Sequence, residues 1–243
     1  MSNPPADFEY TGTSNLEAML EAETYNRFLT ECVERFAGEA TSILDFGAGM
    51  GTFAERVRSR GRPLDCLEPD RSLASILETR NFTTFRRSED IATASYDYVY
   101  SLNVFEHIED DRAAAREVCR ILRPGGALFI YVPAFQILFG SMDRKVEHFR
   151  RYTRQSLARL VREAGLEIET LSYADSLGFF ATLAYNLTAS GDGSINTRSI
   201  RFYDRYVFPL SRQIDRATSG LLGKNVFVVA RKPATALPPS SGA

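Results

Sequence analysis

Strands and helices alternate along most of this chain, and that alternation predicts a doubly wound α/β fold with a mostly parallel sheet. Two further observations support it. A glycine-rich turn directly follows the first predicted strand, in ILDFGAGMGTF (43–53), and GALFIYVP (126–133) is apolar on both faces, as a central parallel strand must be.

The elements follow in order. Residues 1–14, with Pro4, Pro5 and Gly12, read as a flexible start, and ATALPPSSGA (234–243) as a disordered tail. Between them, 15–233 reads as a single domain. Leu16, Met19, Leu20, Tyr25, Phe28, Leu29, Cys32, Val33 and Phe36 approximate helical spacing. TSILDFG (41–47) is a short strand, and TFAERVRSR (52–60) an amphipathic helix stopped by Gly61 and Pro63. PLDCLEP (63–69) is a second strand, and Asp70 caps a helix that runs to about Arg80. FTTFRR (82–87) and YDYVYSLN (96–103) are strands three and four. Asp110 or Asp111 caps the next helix, which Pro124-Gly125-Gly126 ends before the strand 126–133. Thr153 caps a helix stopped by Gly165, then come the strands LEIETLSY (166–173) and KNVFVVARK (224–232). The stretch 176–223 is too long for a plain connection. Its aromatics (Phe179, Phe180, Tyr185, Phe202, Tyr203, Tyr206 and Phe208) mark it as a helical cover inserted before the last strand.

Composition excludes several functions. Hydrophobic residues make up 44% of the 243, enough for a sizeable core, and a net charge of −2 gives no reason to expect nucleic acid. Cys32, Cys66 and Cys119 form no CxxC pair, which argues against zinc and against a disulfide framework. The start MSNPPADFEY lacks a signal-peptide pattern, and no apolar run reaches the about 20 residues of a spanning helix. The expectation is a cytoplasmic protein, its oligomeric state open.

The glycine turn carries the functional reading. Open α/β sheets bind ligands beyond the C-terminal ends of their strands, and Gly47 and Gly49 let backbone approach a ligand closely. Dinucleotides prefer G-x-G-x-x-G, but here the third glycine position is Thr52. Asp45, facing the same crevice, would repel a pyrophosphate and attract a cation. S-adenosylmethionine carries an ammonium and a sulfonium, so it fits. Glu68, ending the second strand, can accept hydrogen bonds from a ribose diol.

DFGAGMG, LEPD (67–70), SEDI (88–91), DYVYSLNVFEHIEDD (97–111) and LRPGG (122–126) together resemble the class I S-adenosylmethionine-dependent methyltransferases, over roughly residues 40–175. The resemblance implies a Rossmann-like sheet of seven strands with the last antiparallel. It implies that Gly47 and Gly49 line the cofactor and that Glu68, with Pro69, meets its ribose. Glu89 would lie against the adenine, Asn103 beneath the methionine part, and Tyr25 over the cofactor as a lid. This chain has Arg87-Ser88 where many members have Gly-Asp before the adenine acid. More loosely, VPAFQILFGSMDRKVEHFRRYT is similar to a bacterial subgroup associated with small molecules and glycan or lipid-linked sugar assembly.

Methyl transfer to oxygen or nitrogen needs alignment and, for a protonated acceptor, a base. His148 and His107 are the chain's two histidines and the candidates, with Tyr152 beside them. His107 can equally order a helix entry and His148 sit on a surface loop. Arg150, Arg151 and Tyr152 can bind an anionic group, or the run RKVEHFRR can equally be a solvated basic face. No HxxH, HExxH or close acid cluster suggests a metal. The expected partner is a small organic acceptor. Membrane contact through SLGFFATLAYNLTA (176–189) is the less favoured reading. The competing functions are an NAD-dependent oxidoreductase and a non-catalytic cofactor-binding partner protein.

Overall fold

The computed structural model describes residues 19–188, 197–218 and 220–234, so the expectations for 1–14 and nearly all of the tail fall outside the described residues. Seven strands form one sheet: β1 (Ile43–Phe46), β2 (Asp65–Leu67), β3 (Thr84–Phe85), β4 (Tyr96–Leu102), β5 (Leu122–Pro133), β6 (Glu167–Ala174) and β7 (Asn225–Arg231). Their spatial order is β3-β2-β1-β4-β5-β7-β6. The pairs from β3 to β5 are parallel, and β7 runs antiparallel to both of its neighbours. The winding reverses between β1 and β4, which places the glycine turn at the switch point.

Side chains alternate across the sheet with period two, so each face has its own apolar layer. One layer joins Val99, Leu128, Ile130 and Val132 to α4 (Asp111–Ile121) and α6 (Arg154–Glu163). The other joins Tyr98, Tyr100, Phe129 and Tyr131 to α1 (Glu23–Ala37) and α2 (Thr52–Ser59). The expected caps form. Asp70 Oδ1 accepts from Leu73 N at 2.9 Å at the start of α3 (Arg71–Thr79), and Asp110 Oδ1 accepts from Ala113 N at 2.9 Å below α4. Thr153 Oγ1 accepts from Ser156 N at 3.2 Å below α6.

Two boundaries move. β5 begins at Leu122 rather than Gly126, because Leu122 leaves the helix extended and pairs with Tyr96 before a bulge restores register at Tyr98 and Ala127. β3 shrinks to Thr84–Phe85, since Phe82 N still bonds to Leu77 O at the end of α3.

Between β6 and β7 stand α7 (Ser176–Thr188), α8 (Thr197–Phe202), a π turn at Tyr203–Val207, and α9 (Phe208–Ala217) with proline in its first turn. The π turn has a visible purpose. Ala22 provides no side-chain cap for α1, and Asp204 Oδ2 and Oδ1 instead accept from Thr24 N and Tyr25 N, each at 2.8 Å. The widened turn aims a carboxylate at the first turn of a helix remote in sequence, satisfying orphan N–H groups there. A short helix, α5 (Ser141–Lys145), follows β5 and was not foreseen.

Candidate active site

The glycine turn is stapled to β2. Gly47 N and Ala48 N both donate to Leu67 O, at 2.9 and 3.1 Å. Gly49 N donates to Glu68 Oε2 at 2.7 Å, and Asp70 N to Glu68 Oε1 at 3.0 Å. Glu68 therefore fixes the turn and the start of α3 together, and its two oxygens keep lone pairs for a diol. Gly47 cannot be replaced without disturbance. Its φ is +87°, and a Cβ there would lie 2.5 Å from Val104 Cγ2 on the loop after β4.

Asp45 lies within β1, opposite Cys66 on β2 and Tyr100 on β4. It is 3% exposed, and its Oδ2 accepts from the Tyr100 hydroxyl at 2.8 Å. Burial pushes its carboxyl up to about 7, against the pull of the Tyr100 hydrogen bond. Burial also raises Glu68 to about 7, despite its two backbone donors. Among the described residues, no cationic side chain is a leading influence on either acid. Two costly carboxyls beside a backbone cradle suit a ligand that brings positive charge.

The other expected cofactor residues divide. Tyr25, buried on α1, has its hydroxyl under the influence of the Asn103 and Tyr131 side chains, so α1 and the end of β4 meet. Asn103 adopts φ 54°, and its N–H donates to Tyr131 O at 2.8 Å. The Pro69 carbonyl accepts from Arg86 Nη2 at 3.1 Å. Glu89 stands exposed in the turn Ser88–Asp90, 3.7 Å from Arg87 Nε.

A second cluster gathers on the turn Phe105–His107 after β4 and on the segment after α5. The His107 and His148 rings meet edge to face, with centroids 4.5 Å apart. His148 Nδ1 lies 2.8 Å from Asp143 Oδ1, and its Nε2 lies 4.0 Å from Glu106 Oε1. Arg151 grips Asp143 with two contacts, Nε to Oδ1 at 2.8 Å and Nη2 to Oδ2 at 3.0 Å. Burial works to raise the Asp143 carboxyl, but the His148 and Arg151 hydrogen bonds override it and hold it down at about 2. Burial, then the neighbouring His148, depresses the His107 imidazole to about 3. Burial raises Glu106 to about 8.

The basic run divides: Arg144 and Lys145 are exposed to solvent, while Arg150 and Arg151 are turned to internal partners. Arg151 is committed to Asp143, and Arg150 to Asp111 Oδ2 at 2.9 Å and the Glu109 carbonyl at 2.7 Å. The Tyr152 hydroxyl lies 2.8 Å from Asp111 Oδ2 and 3.1 Å from the Phe105 carbonyl, and burial raises its pKa further. Its geometry ties α4 to the turn after β4. Glu106 and Asp143 went unnoticed in the sequence. The one signal for them was an acid directly before His107 and another five positions before His148.

A methyltransferase domain model matches residues 21–171. This chain belongs to the class I S-adenosylmethionine-dependent methyltransferases. S-adenosylmethionine is the methyl donor of this methyltransferase, as the cradle and its two buried acids fit. A probable S-adenosylmethionine-dependent methyltransferase of Mycolicibacterium smegmatis is 27% identical over 202 residues, covering 79% of this chain and 76% of that protein. The C-methyltransferase NovU of Streptomyces niveus is 28% identical over 159 residues, which span 60% of this chain and 38% of NovU. Among solved structures, a possible histamine N-methyltransferase from Thermotoga maritima shares the fold with a TM-score of 0.62 at 16% identity, covering 90% of this chain and 95% of its own. Among the described residues, no helix of the methyltransferase is long and apolar enough to cross a membrane.

Proposed function

We propose that this methyltransferase modifies an oxygen or nitrogen of a small organic acceptor, a secondary metabolite or a glycan- or lipid-linked sugar. The observation that carries this reading is His148, held at Nδ1 by buried Asp143 while Nε2 stays available to receive a proton. S-adenosylmethionine, when bound, supplies an electrophilic methyl group on a good leaving group. The backbone at Gly47 and Gly49 supports it, Glu68 takes its ribose, and Asp45 stabilises its positive charge. Pro69 and Glu89 flank the nucleoside, and Tyr25 with Asn103 closes over the methionine end. His148 then withdraws the acceptor's proton as the new bond forms. Asp143 and Arg151 keep the ring oriented, and His107 packs against it. Tyr152 supports this turn from below.

Mass spectrometry of small-molecule pools with and without the enzyme tests the reading. The expected result is a substrate–product pair separated by one CH₂, with the new methyl on oxygen or nitrogen. His148→Ala should lower turnover while S-adenosylhomocysteine affinity stays the same. A product methylated on carbon, or full turnover by His148→Ala, would remove the corresponding half of the proposal.

A further inference from the structure

We propose that Glu106, His107 and His148 form a binding site for a divalent transition-metal cation, with Zn²⁺ the ion their donors suit best. One ligand atom from each of the three side chains can be chosen so that all lie within 4.8 Å of one another. Two imidazoles and one carboxylate are a donor set for first-row metals, whereas Mg²⁺ and Ca²⁺ prefer oxygen alone. Three protein ligands leave a coordination position open, as catalytic rather than structural zinc sites do.

Convergence alone would be weak evidence. The decisive observation is Glu106, which has no exposure at all and whose two carboxylate oxygens find, among the described residues, no hydrogen-bond partner beyond the backbone of Glu106 itself. A buried carboxylate without partners is costly, and native proteins rarely leave one so. Its Oε1 lies 4.0 Å from His148 Nε2, too long for a direct hydrogen bond, and the two need to close by roughly 0.6 Å to meet a tetrahedral ion between them.

The outer contacts fit the same reading. Metal-binding histidines usually give their second nitrogen to a carboxylate or a backbone carbonyl. Here Asp143 Oδ1 holds His148 Nδ1 at 2.8 Å, and the Val146 carbonyl accepts from the His107 ring. Arg151 in turn fixes Asp143. Phe149 N donates to Glu106 O at 2.8 Å, which locks the two ligand-bearing segments together. With a cation bound, His148 Nε2 would be a ligand and no longer the base, and the open position would take the acceptor's oxygen or nitrogen and ease loss of its proton. This role rests on the proposed acceptor and replaces proton transfer to His148 with activation at the cation, whereas metal binding itself does not depend on which atom is methylated.

The test uses untagged full-length protein stripped with a chelator and titrated with Co²⁺, whose visible absorption reports imidazole and carboxylate ligation. Calorimetry with S-adenosylhomocysteine runs alongside on every sample. Wild type should take up a single Co²⁺ per chain, displaced by Zn²⁺. Asp143→Asn should weaken Co²⁺ binding by about 10–100-fold, and Glu106→Gln and His148→Ala by more, all with S-adenosylhomocysteine affinity retained. Wild type that binds S-adenosylhomocysteine but no Co²⁺ overturns the proposal and leaves Glu106 a neutral buried acid. Unchanged Co²⁺ affinity in both Glu106→Gln and His148→Ala overturns it too. If one variant also loses S-adenosylhomocysteine binding through misfolding, the other decides. Loss of S-adenosylhomocysteine binding by wild type would instead count against the cofactor site, with the metal result read separately.

Discussion

Asp45 and Glu68 are 3% and 5% exposed, and each keeps its proton to about pH 7 because little water reaches it. A cationic ligand favours the ionised forms, so binding must expel protons that the free protein holds near neutrality. Affinity for S-adenosylmethionine should therefore rise as pH increases from 6 to 8. Calorimetry in two buffers of different ionisation enthalpy would show the release, and a flat affinity would exclude it. The same shifts act on stability with a definite sign. Carboxyls in the unfolded chain titrate at about 4, so between there and 7 the unfolded chain sheds protons that the fold retains. The contribution of these two acids to stability then falls as pH rises. Asp45→Ala and Glu68→Ala should each weaken cofactor binding at least tenfold, about 1.4 kcal/mol. Unchanged affinity in both would detach the acids from the site.

At the scale of elements, the cover is joined to the Rossmann-like sheet by buried and half-buried carboxylates as well as by apolar packing. Asp204 caps α1 from the π turn, and Asp215 Oδ2 and Oδ1 accept from Asp175 N at 2.7 Å and Ser176 N at 3.0 Å at the start of α7. Tyr203 donates to Asp175 Oδ1 at 2.5 Å. Removing a cap usually costs about 1 kcal/mol, and Asp204 serves two N–H groups, of which the Tyr25 one is buried. Asp204→Ala should destabilise the protein by about 1–2 kcal/mol in urea titrations. Because Tyr25 sits on the capped turn, the same variant should also bind S-adenosylhomocysteine more weakly. Unaltered stability would mean that water replaces the carboxylate. These contacts were invisible in the sequence, where 176–223 showed aromatics but no sign of which acid reaches which helix. The caps at Asp70, Asp110 and Thr153 were legible, since each acts on the helix immediately after it.

Across the whole molecule, two apolar layers on either side of the sheet pack the glycine-turn end, α1 and the helices before β7 against one another. A ligand bound by these elements should stabilise them together. At 100 times its dissociation constant, S-adenosylhomocysteine adds about 2.7 kcal/mol. For a chain of this size that raises the melting midpoint by roughly 5–10 °C. NADH at the same concentration should leave the midpoint unmoved. The reverse pattern in a thermal scan would contradict the donor assignment.

Local order was enough for much of this. Apolar runs between turns located the strands, with two boundaries displaced, the glycine turn marked the C-terminal end of β1, and Glu68 lay close enough in sequence to be read with it. Those features depend on neighbours a few residues apart, whose geometry the backbone repeats dictate. Asp143 beside His148, Glu106 facing them both, Tyr100 on Asp45 and Asp204 on α1 depend instead on strand register and on where loops pack. No local periodicity encodes those meetings, because each is decided by which distant segments the core brings to the same place. That is why the sequence alone led to the methyl donor, while only the tertiary structure revealed two histidines and a bare buried carboxylate closing on a common point.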